Sequence, residues 1–168
     1  VAGAGHLVLS TLHANNANGA LKRLVNFFPE DARPQLLMDL ALNLRGIVSQ
    51  RLIRSLDGGL VPAVEVLLNT PYIADLIQKG KIDYVKDAME QSTESGTQTF
   101  DQALFALYKE GKISKDEAIK NADSKNNVGL KIRLAESAEA TSSVQQAANL
   151  ADLAIHDEEE DQGRAFGR

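Results

Sequence analysis

At 168 residues, with a net charge of −5 and no cysteine, the chain has room for one ordinary domain or two small ones and offers neither a disulfide framework nor a thiolate metal site. Its three histidines, at 6, 13 and 156, are too few and too scattered for a zinc site, no apolar run reaches the length of a membrane span, and no signal peptide is visible. The absence of both places the chain in the cytoplasm as an expectation, while an aromatic content of 5% and the lack of a dense basic patch argue against nucleic acid as a partner.

The chain begins at Val1 without an initiator Met and runs almost at once into Leu7 to Leu12, a short and mostly apolar stretch that predicts a strand packed on both faces. A start of this kind is expected of the C-terminal part of a longer protein. The polar residues Thr11, His13, Asn15 and Asn16 gather at the carboxyl end of the stretch. Open α/β sheets bind ligands beyond their strand ends, where a following helix offers free N–H groups, so a phosphate sensor would sit well there. The competing reading is a hydrogen-bonded structural histidine, which residue type alone favours. His6 and His13 are an odd number of positions apart and would point to opposite faces of one straight strand.

Asn15 or Asn16 is a suitable cap for a helix to about Phe28, with Leu21, Leu24, Val25 and Phe28 on one face and Pro29 ending it. Arg33-Pro34 opens the next helix, whose apolar spacing over Leu37, Leu40, Leu44, Ile47 and Val48 predicts the strongest amphipathic helix of the chain. Gln50 to Leu56 and Leu60 to Leu68, joined by Asp57-Gly58-Gly59, predict a β-hairpin, with Pro62 pointing to an edge position or a late strand start.

From Thr70 the pattern turns helical. Thr70-Pro71 is a cap with Pro in the first turn, Ile73, Leu76 and Ile77 form an apolar stripe, and Gly80 ends it. A second helix over Ile82 to Gln91 presents Ile82, Val85 and Met89; a third shows Phe100, Leu104, Leu107 and Tyr108 and stops at Gly111; Ser114 to Glu117 is a capping box for a fourth. Val128 to Leu134 reads as a strand or a last turn. From Glu136 onward there are eight acids and two bases, in an Ala-, Ser- and Gln-rich setting that predicts disorder, with transient helix around Val144 to Leu153. The expected organisation is α/β over 1–69, a helical bundle over 70–135 and an acidic tail over 136–168.

Four stretches carry a resemblance to a known family. Gly5-His6-Leu7 with Thr11-Leu12-His13 and the Asn residues after it resembles the histidine box of the secretion and pilus ATPases, RecA-like hexameric motors. Asn26-Phe27-Phe28-Pro29 with Arg33 to Leu40 and Asn43-Leu44-Arg45 is similar to the PilU-like branch of the type IV pilus retraction group. Val64 to Pro71 with Ile73 to Ile77, and Gln98-Thr99-Phe100-Asp101-Gln102-Ala103-Leu104, complete the match. The departures are specific. Leu37 stands where PilT relatives usually carry Arg, and the helix over Tyr72 to Lys79 keeps the stripe but lacks both arginines of the PilT pattern. Gly3 and Ala4 replace an acidic residue and a Thr, and the loop at Gly58-Gly59 is short and without the family's Arg.

The resemblance implies the C-terminal part of a RecA-like P-loop ATPase core, followed by a small helical domain. In the intact protein it implies a hexamer that uses ATP and Mg²⁺ to drive pilus retraction and twitching motility, alongside a PilT-like ATPase and the inner-membrane pilus platform. It points to His13, His6 and Thr11 as the catalytic box, with His13 next to the γ-phosphate, and to Ile73, Leu76 and Ile77 as motor-coupling residues. No G-x-x-x-x-G-K-[ST] occurs, so this chain alone is expected to be inactive and to bind no cofactor by itself. Two alternatives stand beside this: a non-enzymatic regulatory subunit that binds a PilT-like ring, and a related pilus-assembly or type II secretion ATPase.

Overall fold

The protein, seen in a computed structural model, is described over residues 2–92 and 96–141. It divides into two compact units, Val1–Val128 and Gly129–Arg168. The first holds one antiparallel hairpin and the helices packed on it; in the second, residues 129–141 are helical.

Helix α1, Ala17–Asn26, begins where the Asn16 side chain accepts the Gly19 N–H at 2.8 Å, and Ala17 and Leu21 are its fully buried residues facing the core. Helix α2, Arg33–Asn43, has Pro34 in its first turn and ends at Leu44, whose backbone is extended. The sequence reading carried this helix through Ile47 and Val48. Both instead lie in strand β1, Gly46–Arg54, where they pair with Leu67 and Val66 of β2, Leu60–Leu68, and point to opposite faces. Stripped of those positions, α2 has Ala41 as its one buried residue and is not the strongest amphipathic helix.

The hairpin runs in register from Gly46↔Leu68 to Arg54↔Leu60, closed by Ser55 N–H donating to the Gly59 carbonyl. Ile53, Ala63, Glu65 and Leu67 turn to the buried face. Val66 exchanges both backbone hydrogen bonds with Gln98, at 2.8 Å each, on the flank of β2 away from β1. Pro62 shares that parity, so its missing N–H falls outside the ladder and costs the hairpin nothing, in line with the edge position read from the sequence.

Thr70 caps α3, Pro71–Gln78, and a turn at Ile82–Tyr84 leads into α4, Val85–Gln91. Helix α5, Phe100–Lys109, starts with a full capping box between Thr99 and Gln102, and α6, Lys115–Asn121, with the Ser114 side chain accepting the Glu117 N–H. Gly80 and Gly111 take positive φ, 69° and 67°, as α3 and α5 end. The central cluster combines Ala17, Leu21, Ala41 and Leu67 with Ile73, Leu76, Ile77, Val85 and Met89, so one core draws on residues from both sides of position 70. Residues 125–141 are helical; Val128 to Leu134 is therefore neither strand nor last turn, and helix persists beyond Glu136. The possible helix around Val144 to Leu153 and the acidic run lie outside the described residues. Among the described residues no helix is long and apolar enough to cross a membrane.

The largest departure concerns Leu7 to Leu12. Residues 6–14 form no regular structure, and Leu7 and Leu9 are 81% and 86% exposed. A strand exists only through its ladder to a neighbour, and among the described residues the sheet contains β1 and β2 alone. The apolar run therefore stays irregular and exposed, and is not a strand packed on both faces.

Candidate functional site

The segment that leads into α1 forms one wall of an open cleft of about 620 Å³, with α1 forming the other. His13, Asn15 and Asn16 line it from the segment, and Lys22, Arg23 and Asn26 from the helix. Arg23 closes the two walls on each other, its guanidinium donating to the His13 carbonyl at 3.0 Å and lying 5.9 Å from the Phe27 ring centroid. The His13 ring is exposed, and Lys22 pairs with Asp83 across the surface. Of the three residues assigned to the histidine box, only His13 reaches the cleft. His6 and Thr11 are exposed and lie outside it.

The expectation of free N–H groups at the start of α1 is corrected. The Ala17 N–H donates to the Glu65 carboxylate at 2.6 Å, and the Gly19 N–H donates to the Asn16 side chain. With these two donors taken, the basic side chains lining the cleft are His13, Lys22 and Arg23. They suit one side of an anion and make no phosphate loop. Among the described residues no group of three or more His, Asp or Glu is arranged to hold a metal ion.

Behind the cleft is a polar network that the sequence reading missed. Glu65 is 3% exposed, and burial pushes its carboxyl above the ordinary value, opposed by the hydrogen bond from Ala17. Arg51 donates to the Asn15 carbonyl at 3.0 Å, to the Asn121 carbonyl at 2.9 Å and to the Asp123 carboxylate at 2.7 Å. Its guanidinium also lies 3.9 Å from the centre of the Phe100 ring. Asp123 in turn accepts from the Asn16 side chain at 3.1 Å. Asp101, 3% exposed, accepts from Lys86 at 2.9 Å and from the Asp123 N–H at 2.8 Å. One signal for Glu65 was present: strand alternation puts Ala63, Glu65 and Leu67 on one face, and a carboxylate on an apolar face must find a partner.

Ile73, Leu76 and Ile77 are buried in the core at 0%, 5% and 0% exposure. They form no contact surface, and anything they transmit passes through packing.

Residues 1–60 match the family described as type II/IV secretion system protein. The type IV pilus ATPase PilU of Pseudomonas aeruginosa is 53% identical over 137 residues, which is 81% of this chain and 36% of that protein. The type IV pilus retraction ATPase PilT of the same organism is 35% identical, over 70% of this chain and 34% of its own length. A crystal structure of the pilus retraction motor PilT with bound ADP superimposes with a TM-score of 0.65 at 35% identity, covering 73% of this chain and 34% of that one. The chain thus spans about a third of the length of these relatives. A hairpin and helices that superimpose on PilT, together with the match to PilU over most of the sequence, lead to one conclusion: the chain belongs to the type II/IV secretion system protein family, in its PilU- and PilT-like group.

Proposed function

We propose that this chain is the C-terminal part of a PilU-like hexameric ATPase that drives type IV pilus retraction and twitching motility, working beside a PilT-like ATPase at the inner-membrane pilus platform on the cytoplasmic side. The observation that carries the reading is the cleft at the start of α1, which gathers His13 and Lys22 in a chain 53% identical to PilU. ATP with Mg²⁺, when bound in the intact protein, supplies the phosphoryl group and its charge neutralisation.

In this reading residues 1–69 belong to the ATPase core, 70–135 to a helical domain that carries motion outward and 136–168 to an acidic tail. His13 hydrogen-bonds near the γ-phosphate; its imidazole can donate and accept, so it can report whether the phosphate is present. His6 and Thr11 support the same box when Leu7 to Leu12 gains strand neighbours from the rest of the protein. Ile73, Leu76 and Ile77 couple the event to the helical domain as packed core. With no phosphate loop, the chain by itself turns over no ATP.

The test is His13→Ala in the full-length protein, read by ATP turnover and by twitching. The expected outcome is loss of both with the hexamer retained. Unchanged turnover and unchanged motility remove His13 from the mechanism. Full-length protein that binds a PilT-like ring but hydrolyses nothing makes it a regulatory subunit.

A further inference from the structure

Resting on the reading of the cleft just given, we propose that Arg51 is a positioning residue for His13, acting from β1 through the backbone at Asn15. The Arg51 guanidinium touches the segment before α1, the end of α6 and the start of α5 together. It donates to the Asn15 carbonyl at 3.0 Å from Nη2 and 3.4 Å from Nε, to the Asn121 carbonyl at 2.9 Å and to the Asp123 carboxylate at 2.7 Å. It also stacks over Phe100, the first residue of α5. Its side chain is 23% exposed and that of Asp123 is 17% exposed, so the pair is shielded from solvent competition.

Asn15 is two residues from His13, and both line the cleft. Asn16, held by Asp123 through its amide at 3.1 Å, is the cap of α1. Arg51 and Asp123 thus fix two successive residues, one by its carbonyl and one by its side chain. Among the described residues the exposed segment before them has no ladder to hold it. His13 has one further restraint, the Arg23 guanidinium on its carbonyl at 3.0 Å. The planar fork of Arg satisfies three separated acceptors at once; the single ammonium of Lys, with one point of charge, cannot reproduce that geometry.

The arrangement also gives the helical part a route to the cleft. Asp123 sits just past α6, and its N–H is held by Asp101 of α5, which is paired with Lys86 of α4. A shift of the α6 end would move Asp123 and Asn121, and with them the guanidinium that holds Asn15.

The experiment is a double-mutant cycle in the full-length protein, with kcat, the KM for ATP and ADP affinity measured for R51A, R51K, H13A and R51A/H13A. Expected are about a tenfold fall in kcat for R51A, KM for ATP and ADP affinity within about twofold, a smaller fall for R51K, and no further loss when R51A is added to H13A. If R51A does not fold, R51K and Asp123→Asn complete the same cycle. A merely structural Arg51 gives losses that multiply with those of H13A, and that result, like unchanged kcat in R51A, overturns the positioning role alone. A silent H13A overturns the reading of the cleft and the positioning role with it.

Discussion

The Glu65 carboxylate accepts the Ala17 N–H at 2.6 Å across 48 positions of sequence, tying the second strand of the hairpin to the first residue of α1. Ala17 is fully buried and Glu65 nearly so. The bond satisfies a helix N-terminal donor that water cannot reach, and it places a carboxylate where the helix dipole favours negative charge.

Two outcomes at Glu65 are therefore expected. Glu65→Ala leaves the Ala17 N–H without an acceptor and should cost about 1–3 kcal/mol in a urea titration. Glu65→Gln keeps an acceptor oxygen, so its cost near neutral pH should be smaller. The carboxyl is raised above its ordinary value of 4.5, with burial as the largest cause. A raised acid favours the folded state when protonated, so its contribution is complete below about 4.5 and is lost as pH climbs through the folded-state value. Stability of the parent should decline across that window relative to Glu65→Gln; parallel curves for the two would remove Glu65 as the source.

Asn16 supplies a second pair of tests. Asn16→Ala removes the α1 cap and should cost about 1 kcal/mol by chemical denaturation. Asn16→Asp preserves the cap acceptor but turns the donor to Asp123, now at 3.1 Å, into a second carboxylate. It should be clearly less stable than the parent in a urea titration at pH 7, because two carboxylates then face each other where a donor and an acceptor met.

At Gly46 a Cβ would come within 2.7 Å of the Leu67 carbonyl oxygen, on the first rung of the hairpin and on the face opposite Ile53 and Leu67. Gly46→Ala should cost about 1–3 kcal/mol and speed amide exchange over β1 and β2. Gly58→Ala at the turn meets no atom but carries positive φ, 88°, and should cost about 1 kcal/mol without disturbing the ladder.

Thr99→Ala removes one half of the α5 capping box, and the fully buried Thr99 hydroxyl has no solvent to replace it. A loss of about 1–2 kcal/mol is expected by thermal or urea melting. A change below about 0.3 kcal/mol would mean that the Gln98 bridge to Val66, rather than the cap, fixes the start of α5.

Features set by neighbouring residues could be read from the sequence. Thr70-Pro71 predicted the start of α3, Asp57-Gly58-Gly59 the hairpin, and the spacing of Ile73, Leu76 and Ile77 a stripe that proves fully buried or nearly so. The failures have a common cause in pairing across the chain. Ile47 and Val48 fit a helical period as well as a strand, and their pairing with Leu67 and Val66 decided between the two. Leu7 to Leu12 has the composition of a buried strand but no ladder among the described residues. Of the candidate site, His13 was identifiable from the resemblance. Arg51 and Asp123, 72 positions apart, were not, because no local pattern marks two charged residues as partners.

Pro62 and Gln98 together give the hairpin a direction. Gln98 occupies both backbone groups of Val66 on the outer flank of β2, its amide takes the Val64 carbonyl at 2.9 Å, and Pro62 brings no donor to the same flank. Any strand recruited from elsewhere meets a blunted border there and an open one along β1, so extension of this sheet is one-sided, starting from Gly46–Arg54.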